Sequence, residues 1–485
     1  MSRLSHDTAL LDAVFGPGEG TTPEARAAGS TRQFVRGLDL LTFDESPRAK
    51  GRRLKAHETL EVYGFDKLAE VASEGSAVLC ATVEAAGHAL RERRTQLNLT
   101  VRNVAAATQL PIEVIEALEA SRRRPVREYE RVARVLGLDE RMVSFRREPQ
   151  GNSGVAIRLR EMHDSRTALS GPEVLAFAEA AWVAMTQIRL EARLALVPRF
   201  RFDVEPFYGN SRQPAYRVGH ELADQVREAL GLAEAPLTSI RDLLERELRI
   251  PVIQVDLGKW IAGATVETSG RRAIVVNLTG RNQNAFMRRS TLAHELCHIL
   301  FDPQQQLRDL RVDEYADLDK RADQVTDPVE QRANAFAVQL LAPQRAAKAL
   351  FQATRDDPLG IVMDRFGISF TAARFQIWNA LQRSVPLDSL QTGRFKPEDD
   401  WEAREVYTTA FHPIRSLADH PARAGRFSAV VLRSVEAGHI SWDTACEWLF
   451  CSEAELLRAA PAMYSLYPDL FSTDPSSRAV STAWR

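Results

Sequence analysis

Ser290-Thr291-Leu292-Ala293-His294-Glu295-Leu296-Cys297-His298-Ile299-Leu300-Phe301 is the stretch on which the reading of this chain turns. It holds H-E-x-x-H among apolar residues. On an α-helix, residues four apart stand one turn above each other on one face. His294 and His298 can therefore reach a single metal ion, and Glu295 beside them can take a proton from a metal-bound water. The apolar neighbours require a helix that is at least half buried, and buried imidazoles need partners. The spacing predicts a metal-dependent hydrolase of the peptidase kind. Two surface histidines and a solvated glutamate are the bland alternative for so short a motif.

A third ligand is offered downstream, in Glu330-Gln331-Arg332-Ala333-Asn334-Ala335-Phe336-Ala337-Val338-Gln339-Leu340-Leu341-Ala342-Pro343. Ala333, Phe336, Ala337, Leu340 and Leu341 follow the spacing of one buried helical stripe. Glu330 precedes that stripe by three residues and shares its face. An inward carboxylate is costly unless it is paired or bound to metal. The competing role is an acidic residue favoured by the helix dipole. Glu314, Asp317 and Asp319 compete as ligands, but their segment is charge-rich and reads as a solvated loop.

Together with these two helices, Glu221–Leu230, Pro236-Leu237, Leu243-Leu244 and Phe366-Gly367-Ile368-Ser369-x-x-Ala372 give residues 219–381 a resemblance to the ImmA/IrrE family of zinc-peptidase-like proteins. The resemblance covers about a third of the chain. It implies a Zn2+ site made of His294, His298 and Glu330, with Glu295 as general base. It also implies a protein substrate, such as a helix-turn-helix repressor. Two histidines and one carboxylate can also take Mn2+ or Fe2+.

The chain has 485 residues, enough for two to four domains. A net charge of −2 gives no global attraction to nucleic acid or anionic membrane, so any basic surface must be local. Four cysteines in so long a chain make no disulfide framework and suit a reducing compartment. Cys446 and Cys451 lack the further pair that a metal site would need, and Cys297 reads as a packed apolar residue. No apolar run approaches the ~20 residues needed to span a bilayer. The N-terminus lacks a signal-peptide core. The expectation is a cytoplasmic protein without a membrane segment.

Residues 81–145 predict a helical module. A first helix covers Ala85–Gln96, and Thr100 caps a second. Gln109-Leu110-Pro111 turns the chain, with Pro111 suited to a first helical position. Ile112, Ile115 and Leu118 stripe a third helix, and Tyr129, Val132 and Leu136 a fourth that ends at Gly137. This order is similar to the XRE (Cro/repressor-like) DNA-binding family, whose third helix enters the major groove. The resemblance implies base contact by Gln109. Arg94, Arg102, Arg122, Arg123 and Arg124 are the candidates for phosphate. Glu113 and Glu116 on the reading helix oppose DNA, and a module for protein contact is the alternative.

The fold class that follows is mainly α with a small β-sheet. Residues 1–80 are unassigned, with a basic run over Ser46–Lys55. Residues 81–145 form the helix-turn-helix module, and 146–205 a linker with an apolar helix. Residues 206–385 form a zincin-like peptidase domain with three strands before the motif helix, and 386–485 a helical region. A sheet edge beside the motif helix could hold an extended substrate by strand addition. His220, Tyr315 and His412 are further polar groups without an assigned place. The expected function is a zinc-dependent peptidase-like regulator that cleaves a partner protein, joined to a DNA-binding domain. The rival is a DNA-binding regulator or antitoxin whose peptidase-like domain binds a partner, such as a toxin encoded next door, without cutting it. Oligomeric state is left open.

Overall fold

The computed structural model describes residues 7–80, 84–143, 145, 169–198, 200, 213–268, 271–302, 310–314, 327–391, 401, 404–405 and 412–471. Helices dominate them, and among them none is long and apolar enough to cross a membrane. They form two compact units. One lies within Met1–Leu196 and Thr409–Phe471, the other within Val197–Thr408. The terminal helices up to Phe471 thus fold with the N-terminal residues.

The first unit opens with a sheet that the sequence did not announce. Strands β1 (Gln33–Arg36), β2 (Leu40–Phe43), β3 (Arg52–Lys55) and β4 (Ser76–Val78) pair antiparallel in the order β3-β1-β2-β4. Each has at most four residues, too few for a period of two to stand out. Phe34, Leu41 and Leu54 point into a core closed by Phe15, Leu68 and Val71 from helices Thr8–Phe15 and Ala56–Glu74. Gly51 is forced by the close approach of β1: a Cβ there would lie 1.9 Å from the Arg36 carbonyl oxygen.

Four helices follow at Glu84–Gln96, Val101–Thr108, Ile112–Glu119 and Val126–Val135. Thr100 caps the second by accepting from the Asn103 N–H at 3.2 Å. Gln109 ends it in the left-handed region, at φ 54°. Pro111 stands one place earlier than expected, as the residue before the third helix, and Ile112 is exposed while Ile115 and Leu118 are buried. Helix Gly171–Arg193 and helices Arg426–Glu436, Trp442–Leu449 and Glu453–Leu466 complete the unit.

Buried ion pairs tie these parts together. Glu130 receives Arg36 at 2.5 Å and Arg52 at 2.7 Å, which joins the sheet to helix Val126–Val135. Arg52 also donates to Thr444 Oγ1 at 2.8 Å. The two Glu140 oxygens accept the indole N–H groups of Trp182 and Trp448, each at 2.8 Å. Such pairs hold only where every charge is answered.

The second unit carries β5 (Val252–Val255), β6 (Ile261–Thr268), β7 (Arg271–Asn277) and β8 (Leu310–Glu314), in the order β5-β7-β6-β8. The β5/β7 pair is parallel and the others are antiparallel. The first three strands are the three expected before the motif helix. β8 falls in the segment read as a solvated loop, so Glu314 lies in a strand; Tyr315, Asp317 and Asp319 lie outside the described residues. β8 also takes the position beside β6, which leaves β5 and β8 as the sheet edges and β6 unavailable for strand addition. Hydrogen bonding to β6 overrides the polar composition of that segment.

Helix Ala285–Phe301 carries the motif. It starts at Asn284, whose side chain accepts from the Phe286 N–H at 2.9 Å. Its Leu292 and Leu296 pack with Ile274 and Val276 of β7 and with Phe336 and Leu340 of helix Pro328–Leu341. Helix Ala215–Ala229 crosses Pro328–Leu341 closely at Gly219, where a Cβ would meet the Arg332 carbonyl oxygen at 2.3 Å.

Candidate metal centre

His294, Glu295 and His298 are all buried by the packing of the motif helix between the sheet and helix Pro328–Leu341. Asp327 caps that second helix by accepting from the Val329 N–H at 2.8 Å, and Pro328 occupies its first turn. This start fixes Glu330 one turn in, 8% exposed, facing the histidines. The His294 and His298 Nε2 atoms stand 3.0 Å apart. Glu330 brings one oxygen to 3.1 Å from His294 Nε2 and the other to 3.7 Å from His298 Nε2. The ligand atoms of all three residues lie within 4.8 Å of one another, the only such group of three found among the described residues.

The far side of each ring decides what the near side can do. His298 Nδ1 faces Asp302 Oδ2 at 2.8 Å, and His294 Nδ1 faces Asn334 Oδ1 at 2.9 Å. Both partners are acceptors, so each Nδ1 carries the hydrogen and each Nε2 turns a lone pair inward. Two nitrogen lone pairs and a carboxylate thus converge on one point. Acceptors facing acceptors repel unless a cation lies between them. The donor set fits Zn2+, and also Mn2+ or Fe2+. Arg332 in turn pairs with Asp302, which orients the group that orients His298.

Glu295 lies against β6 and accepts from Thr265 Oγ1 at 2.7 Å. Gly263 makes room for it: a Cβ there would come within 3.1 Å of Glu295 Oε1 and 2.9 Å of Thr291 Cγ2. Beside His294 opens a cavity of about 330 Å3, lined by Tyr216, Val338, Phe375 and Trp378, with His220 and Gln376 among its polar groups. Burial lowers the pKa of the His220 imidazole, with Asp224 opposing the shift. His220 therefore belongs beside the candidate site, which spacing could not tell. His412 lies in the first unit, 2.9 Å from Ser428 Oγ.

Asp302, Asn334 and Thr265 were missed as supporting residues. Asp302 follows His298 by four, and Asn334 follows Glu330 by four, so helical spacing held a signal for both. Thr265 has none, because the approach of β6 to the motif helix is tertiary.

The residues expected to meet DNA are in the first unit. Arg102, Gln109, Arg122 and Arg123 are exposed, and Arg124 is partly so. Arg123 pairs with Asp39 at 3.1 Å and Arg124 with Glu128 at 2.7 Å. Arg94 forks onto both oxygens of Glu119, at 2.6 and 2.8 Å, and is occupied inside the fold. Glu113 and Glu116 stand exposed on the third helix.

The buried helix pair with its histidines and carboxylate has the character of a metallopeptidase. Residues 245–377 match the family Peptidase M78, IrrE N-terminal-like domain, within the stretch that carries the ImmA/IrrE resemblance. The match takes in both helices of the site and supports metallopeptidase-type activity for that segment. No curated protein matches the chain.

Proposed function

We propose that the second unit is a zinc-dependent endopeptidase that cuts a partner protein, such as a transcriptional repressor, and that the first unit links this activity to DNA. The observation that carries the reading is the convergence of His294 Nε2, His298 Nε2 and the Glu330 carboxylate, with Glu295 one residue along. His294, His298 and Glu330 would hold the ion, which when bound supplies Lewis acidity and an acidified water. Glu295, oriented by Thr265, accepts the proton of the attacking water and returns it to the leaving amine. His220, in the cavity lining, offers a hydrogen bond to the substrate backbone. The cavity walled by Tyr216, Phe375 and Trp378 receives an apolar side chain of the cut segment.

The test uses the full chain loaded with Zn2+, incubated with the product of the adjacent gene and with a mixed peptide library. New N-termini are read by mass spectrometry. Cleavage is expected from the wild type and loss of it, by about 10²–10⁴-fold, from Glu295→Gln with its metal retained. His298→Ala should lose the metal. Equal cleavage by Glu295→Gln and wild type refutes the role of Glu295. Tight binding of the partner with no cleavage by either supports the antitoxin reading.

For the first unit, DNA contact through Arg102, Gln109, Arg122, Arg123 and Arg124 implies affinity that falls steeply with salt. A specific observation favours protein contact as a second reading: Glu113 and Glu116 are exposed on the helix that would enter the groove, and Arg123 and Arg124 already have carboxylate partners. Fluorescence anisotropy with the protein's own promoter DNA separates the two. Absence of salt-sensitive binding removes DNA and leaves the peptidase reading intact.

A further inference from the structure

Helix Trp442–Leu449 ends in a way that brings two cysteines together. Phe450 follows it in the left-handed region, at φ 50° and ψ 36°. The chain folds back, and the Cys451 N–H donates to the Cys446 carbonyl at 3.2 Å. In this kind of helix stop, the side chain three places before the last helical residue meets the one just past the turn, usually as an apolar contact. Here both positions are cysteine. The two side chains therefore share one helix end, and both thiols are free and partly exposed. A cavity of about 410 Å3 is lined by both residues, with Gln109, Arg131 and His420 around it. Neither cysteine belongs to a three-donor metal cluster among the described residues. A small oxidant can therefore reach two adjacent sulfurs that no assigned role uses.

We propose that Cys446 and Cys451 form a reversible dithiol–disulfide couple whose oxidant is a hydroperoxide. The hydrogen bond from Cys451 holds the Cys446 thiol below the usual cysteine range, and the same bond pushes Cys451 up. Cys446 is thus the attacking sulfur. Its thiolate attacks the O–O bond, which breaks. The sulfur is oxidised to a sulfenic acid, and the peroxide is reduced to an alcohol, or to water from hydrogen peroxide. Cys451 then attacks the sulfenic sulfur. The S–S bond forms, the S–O bond breaks, and the departing hydroxide leaves as water with the Cys451 proton. Two thiols and one hydroperoxide give one disulfide, one alcohol and one water. The new bond closes a ring over the helix end beside Gln109. It lies in the first unit and does not depend on the metal-centre reading.

The test is made on the reduced full chain with hydrogen peroxide, followed by alkylation and peptide mapping. Of the four thiols, two should be lost to alkylation. Cys446 and Cys451 should appear in one peptide lighter by two hydrogens, restored by dithiothreitol, while Cys80 and Cys297 remain alkylatable. Cys451→Ser should leave a sulfenic acid on Cys446 that dimedone traps, and Cys446→Ser should leave none on Cys451. Phenylarsine oxide, which bridges adjacent thiols, should bind the wild type once and neither single variant. Full alkylation of both residues after peroxide, a linkage to Cys80 instead, or no arsenical binding by the native chain would overturn the proposal.

Discussion

Both units bury ionisable side chains, and the clusters around Glu130 and around His294 are built in opposite patterns. In the first, charges alternate: Glu130 lies between Arg36 and Arg52, and Arg426 lies between Glu191 and Asp469 at 2.9 Å from each. In these two clusters each cation has an anion within the chain. In the second, two imidazole lone pairs and a carboxylate face one another, with the rings' hydrogens turned away to Asp302 and Asn334. That donor set fits a cation. A cluster whose charges answer one another is complete by itself, whereas converging acceptors mark a candidate ligand site. Burial alone does not separate the two, and the alternation of donor and acceptor does.

The comparison breaks first at Arg36. Arg36→Met removes one of the two cations on Glu130 and strands buried oxygens, so the first unit should lose about 3–5 kcal/mol. Hydrogen exchange of the Val126–Val135 amides checks this, and zinc stoichiometry should not change. An unchanged exchange pattern would show that the network does not hold the unit together.

A second prediction concerns His412. Its Nδ1 accepts the Ile414 N–H at 3.2 Å, and its other ring nitrogen meets Ser428. Burial pushes its pKa down to about 4 from an ordinary 6.5. The unfolded chain therefore takes up the proton first as pH falls. The contribution is complete above pH 6.5 and is lost as pH falls toward 4, up to about 3 kcal/mol. Urea unfolding followed through the Arg426–Glu436 amides at several pH values gives the slope, and His412→Gln should flatten it.

Asp302 sharpens the other side. Asp302→Asn weakens the grip on the His298 ring, and metal affinity should fall about 10–100-fold. Competition with a chromogenic chelator measures it. A drop no larger than that of a surface Asp→Asn control would remove Asp302 from the support of the site.

The smallest effect is expected at Arg134. It is fully buried, its guanidinium nitrogens have no hydrogen-bond partner among the described residues, and Glu447 stands 3.6 Å away. Burial, with repulsion from Arg423 next, lowers its pKa to about 10. Replacing so poorly answered a charge by an apolar side chain is often neutral or favourable. Arg134→Met should shift unfolding by no more than about 1 kcal/mol, in the stabilising direction. A loss as large as that at Arg36 would mean that alternation does not describe the first unit.

The sequence by itself determined the elements whose signal is local. The i, i+4 histidines, the apolar stripe that turns Glu330 inward and the cap at Thr100 all rest on helical periodicity or on a side chain meeting a backbone N–H nearby. The three strands before the motif helix were legible because their apolar runs are long enough. Tertiary structure alone decided the rest. β1–β4 are too short to show a period, and β8 is polar and becomes a strand only because β6 offers hydrogen bonds. Terminal residues far along the chain complete the first unit through Thr444 and Trp448. Thr265 reaches Glu295, and His220 reaches the cavity beside His294, across gaps of 30 and 74 residues. Periodicity records what a residue needs from its neighbours in sequence. It does not record which distant surface will meet that need, because this depends on how whole elements pack.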